Sequence, residues 1–214
     1  MIDSDMLLRA YAFGVFPMAE ARDDPQLFWI DPEHRGILPL DRFHLPKRLK
    51  RTIKAHPFDV CVDTSFRQVM MACAESGEER EGTWINDQII VLYSELFARG
   101  HAHCVECWQE GRLVGGLYGV SLGAAFFGES MFSRETDASK IALVYLVARL
   151  RYGGFKLLDT QFVTSHLQQF GTIEISRDAY RARLREAIVE TADFMRMPED
   201  YGAEEVLQVL SQTS

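Results

Sequence analysis

An α+β fold is predicted, with a mixed and mostly antiparallel sheet in a C-terminal domain and a small N-terminal domain ahead of it. Three observations predict it. Pro17, Pro25, Pro32, Pro39, Pro46 and Pro57 punctuate residues 1–58 and leave little room for long elements. Three strand candidates run in succession at 102–108, 112–120 and 124–132, with Glu110-Gly111 and Ser121-Leu122-Gly123 as their turns. Two helical patterns precede this meander, and a helix, a strand and a helix follow it.

In chain order, Met6 to Phe13 reads as a short helix stopped by Gly14 and Pro17, and Phe28-Trp29-Ile30 as a short strand. The Lys/Arg stretch 47–55 predicts a basic helix that closes an N-terminal domain of residues 1–58, with 59–214 as the second domain. Phe58 to Val62 is strand-like. Ser65 to Ala74 is helical, with Thr64 or Ser65 as N-cap, and Ser76 to Thr83 is a charged loop. Asn86 or Asp87 caps a helix whose apolar positions Ile89, Leu92, Tyr93, Leu96 and Phe97 recur at helical spacing until Gly100 ends it. After the meander, a long helix at 137–152 ends at Gly153-Gly154. A strand at 156–161, another at 172–175 and an amphipathic helix at 177–194 complete the chain. This order is that of a GNAT-class acyltransferase, in which a central sheet splays open and a helix follows the fourth strand. The usual (Q/R)-x-x-G-x-(G/A) pyrophosphate loop is missing, and Ser133-Arg134-Glu135-Thr136-Asp137-Ala138 takes its place. An acyl donor other than acetyl-coenzyme A is therefore expected.

The 214 residues are 47% hydrophobic, enough for a well-packed core, yet no apolar run approaches the ~20 residues that span a bilayer. Met1 to Phe16 carries Asp3 and Asp5 and lacks the basic n-region of a signal peptide, so a cytoplasmic protein with no membrane partner is expected. A net charge of −8 argues against a general nucleic-acid coat protein. Locally, however, Arg42, Lys47, Arg48, Lys50, Arg51 and Lys54 stand against Asp41 alone between Asp41 and His56. That stretch fits either a solvated helix face or a site for one phosphate-bearing partner. Cys104 and Cys107 have CxxC spacing but no partner pair at zinc-site spacing. Strand alternation points them to opposite faces, so free cysteines are expected.

Polar residues concentrate in Gly128-Glu129-Ser130-Met131-Phe132-Ser133-Arg134, followed by Ala138-Ser139-Lys140, where a strand hands over to a helix. Buried polar groups must be satisfied, so such a block suits a site. Glu129 could hold an ammonium or accept substrate hydrogen bonds; equally it could cap the next helix or pair with Lys140 or Arg134. In Leu157-Leu158-Asp159-Thr160-Gln161, Asp159 and Gln161 lie two apart and would share a strand face. A carboxylate and an amide there can orient a nucleophile and polarise a carbonyl, or be a polar pair at a fraying end. Thr164, Ser165 and His166 follow in a short helix, with His166 a candidate base or a structural histidine. Trp84, in a loop, could stack on a nucleobase or cap the core. Neither a nucleophile constellation nor a metal motif emerges, which fits direct transfer between two bound substrates with no covalent enzyme intermediate; no metal or cofactor is expected.

Ordered motifs across most of the chain resemble the leucyl/phenylalanyl-tRNA–protein transferase family. They include Leu8-x-Ala10 spacing into Tyr11, Gly14-Val15-Phe16-Pro17, Trp29-Ile30-Asp31-Pro32, Arg35-Gly36-Ile37-Leu38 and Glu81-Gly82-Thr83-Trp84-Ile85. Gly100 to Glu106, Leu113 to Val120, the polar block and Asp159-Thr160-Gln161 extend the match. The resemblance implies a GNAT-like C-terminal domain and a small N-terminal domain. It implies transfer of Leu or Phe, and less well Met, from aminoacyl-tRNA to the α-amine of proteins beginning with Arg or Lys, marking them for N-end-rule proteolysis. It implies Asp159 and Gln161 as the catalytic pair, with Glu129 near the reacting amine. Leu117, Phe126, Met131, Leu143, Leu146, Leu150 and Leu158 would line the aminoacyl pocket. Trp84 would stack on the terminal adenosine, and Lys47, Arg51 and Lys54 would meet the tRNA.

Three departures from the family pattern stand out. Met18 replaces a second stacking tryptophan, Thr164 replaces an Asn or Asp that would face the acceptor peptide alongside His166, and the chain starts later than the larger members. A monomer is expected. Two other readings compete: an Asp/Glu acceptor preference on the same chemistry, and an acetyl-coenzyme A-dependent N-acetyltransferase. A non-catalytic tRNA-binding module is a third.

Overall fold

The computed structural model describes residues 2–24, 26–75 and 83–212. The charged loop expected at 76–83, apart from Thr83, lies outside the described residues, as do Glu81 and Gly82 of the family motif.

The chain opens with helix α1 (Ser4–Phe13). Asp3 caps it by accepting the Met6 N–H at 2.8 Å, and Gly14 ends it in the left-handed region at φ 87°. Strands β1 (Phe16–Met18) and β2 (Phe28–Ile30) pair antiparallel in a two-stranded sheet; β1 was not predicted, since three residues around a proline give no alternation. Strand β3 (His34–Ile37) was not predicted either, and it belongs to the main sheet. A 3₁₀ turn at Leu40–Arg42 leads into helix α2 (Lys47–Lys54), which buries Leu49 and Ile53 and exposes its basic residues.

Strand β4 (Asp59–Val62) precedes helix α3 (Phe66–Ala74), and helix α4 (Asp87–Ala98) follows with Asn86 accepting the Ile89 N–H at 2.8 Å. The cap of α3 departs from expectation. Ser65 occupies the N-cap position without a side-chain bond, and the buried Glu106 carboxylate accepts the Thr64 and Ser65 N–H groups at 2.8 and 2.7 Å. The meander forms, as β5 (Ala102–Gln109), β6 (Arg112–Leu122) and β7 (Ala125–Ser133), but Ser121 and Leu122, expected in its second turn, are paired strand residues of β6, which leaves Gly123 and Ala124 to turn the chain. Glu110 and Gly111, at φ 51° and 73°, make the two-residue turn whose twist suits a hairpin.

Helix α5 (Ala138–Gly153), strand β8 (Leu157–Gln161), helix α6 (Ser165–Gln168), strand β9 (Ile173–Ser176) and helix α7 (Arg177–Ile188) follow. The final helix expected to run to 194 stops at Ile188. A 3₁₀ turn at Phe194–Arg196 and helix α8 (Ala203–Ser211) come after it, beyond the predicted elements.

The seven-stranded sheet has the order β4-β5-β6-β7-β8-β3-β9, and β7–β8 is its parallel pair. Two hydrophobic clusters cover its faces. One gathers residues of α1, α3, α4 and α7, and the other residues of α2, α5 and α8. Cys104 belongs to the first and Cys107 to the second, as strand alternation requires. No helix among the described residues is long and apolar enough to cross a membrane.

Candidate active site

The site follows from where β7 and β8 part. They pair over Ala125–Phe127 and Leu157–Asp159, after which β8 turns to β3 through Gly36 and Gln161. The residues past that point, Gly128 to Ser133 on one side and Thr160 and Gln161 on the other, line a cavity of about 640 Å³. Leu117, Met131, Leu143, Leu146 and Leu158 form its apolar wall. Met18 and Trp84 line it too, with Thr164 and His166 at α6. Of the residues expected in the aminoacyl pocket, Phe126 and Leu150 do not line this cavity. Both are buried in the cluster around α5, where Phe126 stacks on Phe194. Lys47, Arg51 and Lys54 are exposed on α2, away from the cavity lining, and form no ion pair among the described residues.

Glu129 neither caps α5 nor pairs with Lys140 or Arg134: Lys140 pairs with Asp137, and Arg134 with Glu75. Its carboxylate instead accepts the hydroxyls of Tyr11 at 2.6 Å and Tyr93 at 3.2 Å, and those two hydroxyls bond each other. The carboxyl is enclosed by these tyrosines while the residue still faces the cavity. Burial pushes its pKa up to about 7, partly offset by the Tyr11 bond; the Asp159 charge raises it further, and the Tyr93 bond and Arg35 lower it.

Asp159 is fully buried and does not line the cavity. Arg35 holds it through Nε at 3.0 Å and Nη2 at 2.6 Å, and Tyr180 donates its hydroxyl at 2.6 Å. Its Oδ1 also accepts the Gln161 backbone N–H at 2.8 Å. The shared strand face expected for Asp159 and Gln161 is therefore not what forms. Leu158 and Thr160 alternate onto the cavity and Asp159 turns away. Gln161, in the left-handed region at φ 56°, breaks the alternation and brings its own side chain back to the cavity. Its carboxamide nitrogen is buried there without a hydrogen-bond partner. The Tyr118 hydroxyl and His166 Nε2, in the same lining, are likewise buried and unpartnered. Burial, and then the Lys140 charge, lower the His166 pKa.

The segment in place of a pyrophosphate loop is occupied by protein groups. The Ser139 N–H donates to Ser133 Oγ at 3.1 Å and the Ala138 N–H to the Glu135 carbonyl at 3.1 Å. Asp137, the N-cap of α5 at φ 64°, places its carboxylate at that helix start, paired with Arg48 at 3.0 Å and Lys140 at 2.9 Å. Among the described residues, no group of three or more His, Cys, Asp or Glu is arranged to hold a metal ion.

Sequence reasoning gave no site role to Tyr11, Tyr93, Arg35, Tyr180 or Tyr118. Tyr11 and Tyr93 occupy apolar helix positions, where a hydroxyl leaves no trace in the periodicity. Arg35 closes the polar stretch Asp31 to His34, so its charge does not stand out before Gly36-Ile37-Leu38.

The cavity thus brings an acid, an amide and an apolar wall together where β7 and β8 part. Comparison with known proteins supplies the class. Residues 37–185 match the family described as leucyl/phenylalanyl-tRNA protein transferase, and residues 1–33 match the N-terminal domain of the same family. A leucyl/phenylalanyl-tRNA–protein transferase of Paramagnetospirillum magneticum is 65% identical over 91% of this chain and 93% of its own length. One of Maricaulis maris is 55% identical over 99% of this chain and 98% of its own. One of Caulobacter vibrioides is 58% identical over 98% and 97%. The chain is an aminoacyltransferase, and it belongs to the leucyl/phenylalanyl-tRNA–protein transferase family.

Proposed function

We propose that the protein transfers Leu or Phe, and less well Met, from aminoacyl-tRNA to the N-terminal α-amine of proteins beginning with Arg or Lys, marking them for N-end-rule proteolysis. The observation that carries this reading is a cavity in which an apolar wall meets Glu129 and the unpartnered carboxamide nitrogen of Gln161. Leu117, Met131, Leu143, Leu146 and Leu158 take the Leu or Phe side chain. Met18 and Trp84 flank the terminal adenosine, where the methionine sulfur over a ring offers less area than a second indole. Lys47, Arg51 and Lys54 meet the tRNA phosphates from α2.

In the reaction, the amine nitrogen attacks the ester carbonyl carbon, and the bond from that carbon to the ribose oxygen breaks. The proton lost by the amine ends on the ribose hydroxyl. An α-amine titrates near ~8, so a carboxyl near 7 such as Glu129 is matched to accept that proton and return it to the leaving oxygen. Gln161 orients the reacting groups with its free carboxamide. Thr164 and His166 lie where the acceptor peptide enters. Because the ester is already reactive, alignment is the main contribution, worth ~7–11 kcal/mol in well-oriented systems.

We read the fold as GNAT-like, on the splay of β7 from β8 and on α5 following the fourth strand of residues 59–214. The small N-terminal domain is taken as the part ahead of β3, since β3 joins the main sheet and a boundary at 58 falls too late, and the enzyme works as a monomer in the cytoplasm. The acetyl-coenzyme A reading is disfavoured because the Asp137 carboxylate and the Ser133 hydroxyl occupy the start of α5, where a pyrophosphate would need free N–H groups.

The experiment is a panel of peptides differing in their first residue, each offered with Phe-tRNA or Leu-tRNA. Transfer to Arg- and Lys-peptides is expected. Transfer to Asp- or Glu-peptides instead corrects the acceptor, and no transfer to any peptide rejects the proposal.

A further inference from the structure

We propose that Arg35 and Tyr180 are positioning residues for the transfer reaction, acting through the sealed Asp159 carboxylate on the backbone N–H of Gln161. The inference rests on the transfer reading above and assigns Asp159 a role other than exchanging protons with substrate.

The coordination of Asp159 leaves it no room to react. Its Oδ1 accepts from Arg35 Nε at 3.0 Å and from the Gln161 N–H at 2.8 Å. Its Oδ2 accepts from Arg35 Nη2 and from the Tyr180 hydroxyl, both at 2.6 Å. Two carboxylate oxygens offer about four lone-pair sites, so the group is saturated. It is fully buried, and no edge of it faces the cavity. Taking a proton would break a bidentate guanidinium pair inside the core, the costly kind of break.

What the saturated carboxylate holds is a strained residue. Gln161 is neither Gly nor Asn, yet sits at φ 56°, a conformation that persists only where surroundings over-determine it. Its N–H is fixed by Asp159, and it is registered against Gly36 of β3, the residue beside Arg35. The strain is what aims the carboxamide at the cavity.

Arg35 is itself immobilised. It is 1% exposed and lies 4.6 Å from the Phe16 ring centroid and 4.4 Å from that of Tyr180. Its Nη1 donates to the Gly14 carbonyl at 2.7 Å, at the end of α1. That helix carries Tyr11, which bonds Glu129. One guanidinium thus ties the strand bearing Gln161 to the helix supporting Glu129, and sets the two halves of the site relative to each other.

The test uses the full chain, with Tyr180→Phe, Arg35→Lys and Asp159→Asn made singly and Tyr180→Phe/Asp159→Asn as a pair. Tyr180→Phe keeps the ring against Arg35 and loses only the hydroxyl. Arg35→Lys keeps the charge and loses the fork. With Phe-tRNA and an Arg-initiated peptide, Tyr180→Phe should lower kcat about threefold to tenfold, with both KM values within about twofold, because misalignment is read in the transition state. The double variant should be no slower than Asp159→Asn alone, since Tyr180 acts through Asp159. The Gln161 backbone amide proton, followed by NMR in selectively labelled protein, should shift in Tyr180→Phe.

Wild-type kcat in folded Tyr180→Phe, or additive losses in the pair, overturns the proposal. An unmoved Gln161 amide overturns it as well. If Arg35→Lys fails to fold, the Tyr180→Phe results decide. A wild-type protein that transfers neither Leu nor Phe rejects the proposed function instead, and the amide resonance then decides the positioning chain by itself.

Discussion

Tyr11, on the first helix, donates its hydroxyl to Glu129 at 2.6 Å across 118 residues of sequence. Removing that donor withdraws a bond that favours the ionised carboxylate. Tyr11→Phe should therefore move the acidic limb of the kcat/KM profile to higher pH and lower the rate at neutral pH. Initial rates of Phe transfer between pH 5 and 9 check this, and an unmoved limb would separate the limb from Glu129.

Glu129 also makes stability depend on pH. Its folded pKa, about 7, lies above its ordinary value, so the native state holds the proton more tightly than the unfolded chain. That contribution is full below the ordinary carboxyl value of ~4.3 and is lost as pH rises through about 7. Glu129→Gln removes the titrating group. Chemical denaturation should find the variant more stable than wild type at pH 8 by on the order of 1–3 kcal/mol, with the difference shrinking towards pH 4.5. The same variant should lose most of its transfer activity.

Gly36→Ala tests the seam beneath Gln161. An added Cβ would lie 2.6 Å from the Phe162 carbonyl carbon and 2.9 Å from Thr160 Oγ1, and a backbone atom cannot swing aside. The substitution should cost about 1–3 kcal/mol by thermal or chemical denaturation. It should also lower kcat more than KM, because the displaced strand carries Gln161.

Most of the fold was legible because its helices and the meander carry clean periodicity and strong stop signals, such as Asn86, Gly100, Glu110-Gly111 and Gly154. β1 and β3 escaped because Pro17 and the polar His34-Arg35 break any run of strand-forming residues there, unlike Phe28-Trp29-Ile30 of β2, and α8 lies beyond the last predicted helix. At the site, Glu129 and Gln161 were legible as polar residues in apolar strands. The face of Asp159 was misread because strand alternation assumes an extended backbone, and the positive φ of Gln161 violates it. Arg35 and Tyr180 reach Asp159 across 124 and 21 residues, a pairing that no local pattern encodes.

The basic face of α2 predicts a salt dependence. Lys47, Arg51 and Lys54 are exposed, while Leu49 and Ile53 anchor the helix. Replacing the three with Ala should leave the melting temperature nearly unchanged. It should weaken tRNA binding and flatten the plot of log K against log salt by roughly 0.7–0.9 for each phosphate that is no longer neutralised. Fluorescence anisotropy over a salt series provides the measurement.

In the proposed reaction the Gln161 carboxamide orients a transfer within the cavity between β7 and β8. Single-turnover transfer of Phe from Phe-tRNA to an Arg-initiated peptide, compared between wild type and Gln161→Ala, tests it most directly. The variant's rate should be lower by about tenfold or more with tRNA affinity within about twofold, the pattern of an interaction made in the transition state. A Gln161→Ala enzyme that turns over at the wild-type rate would contradict it.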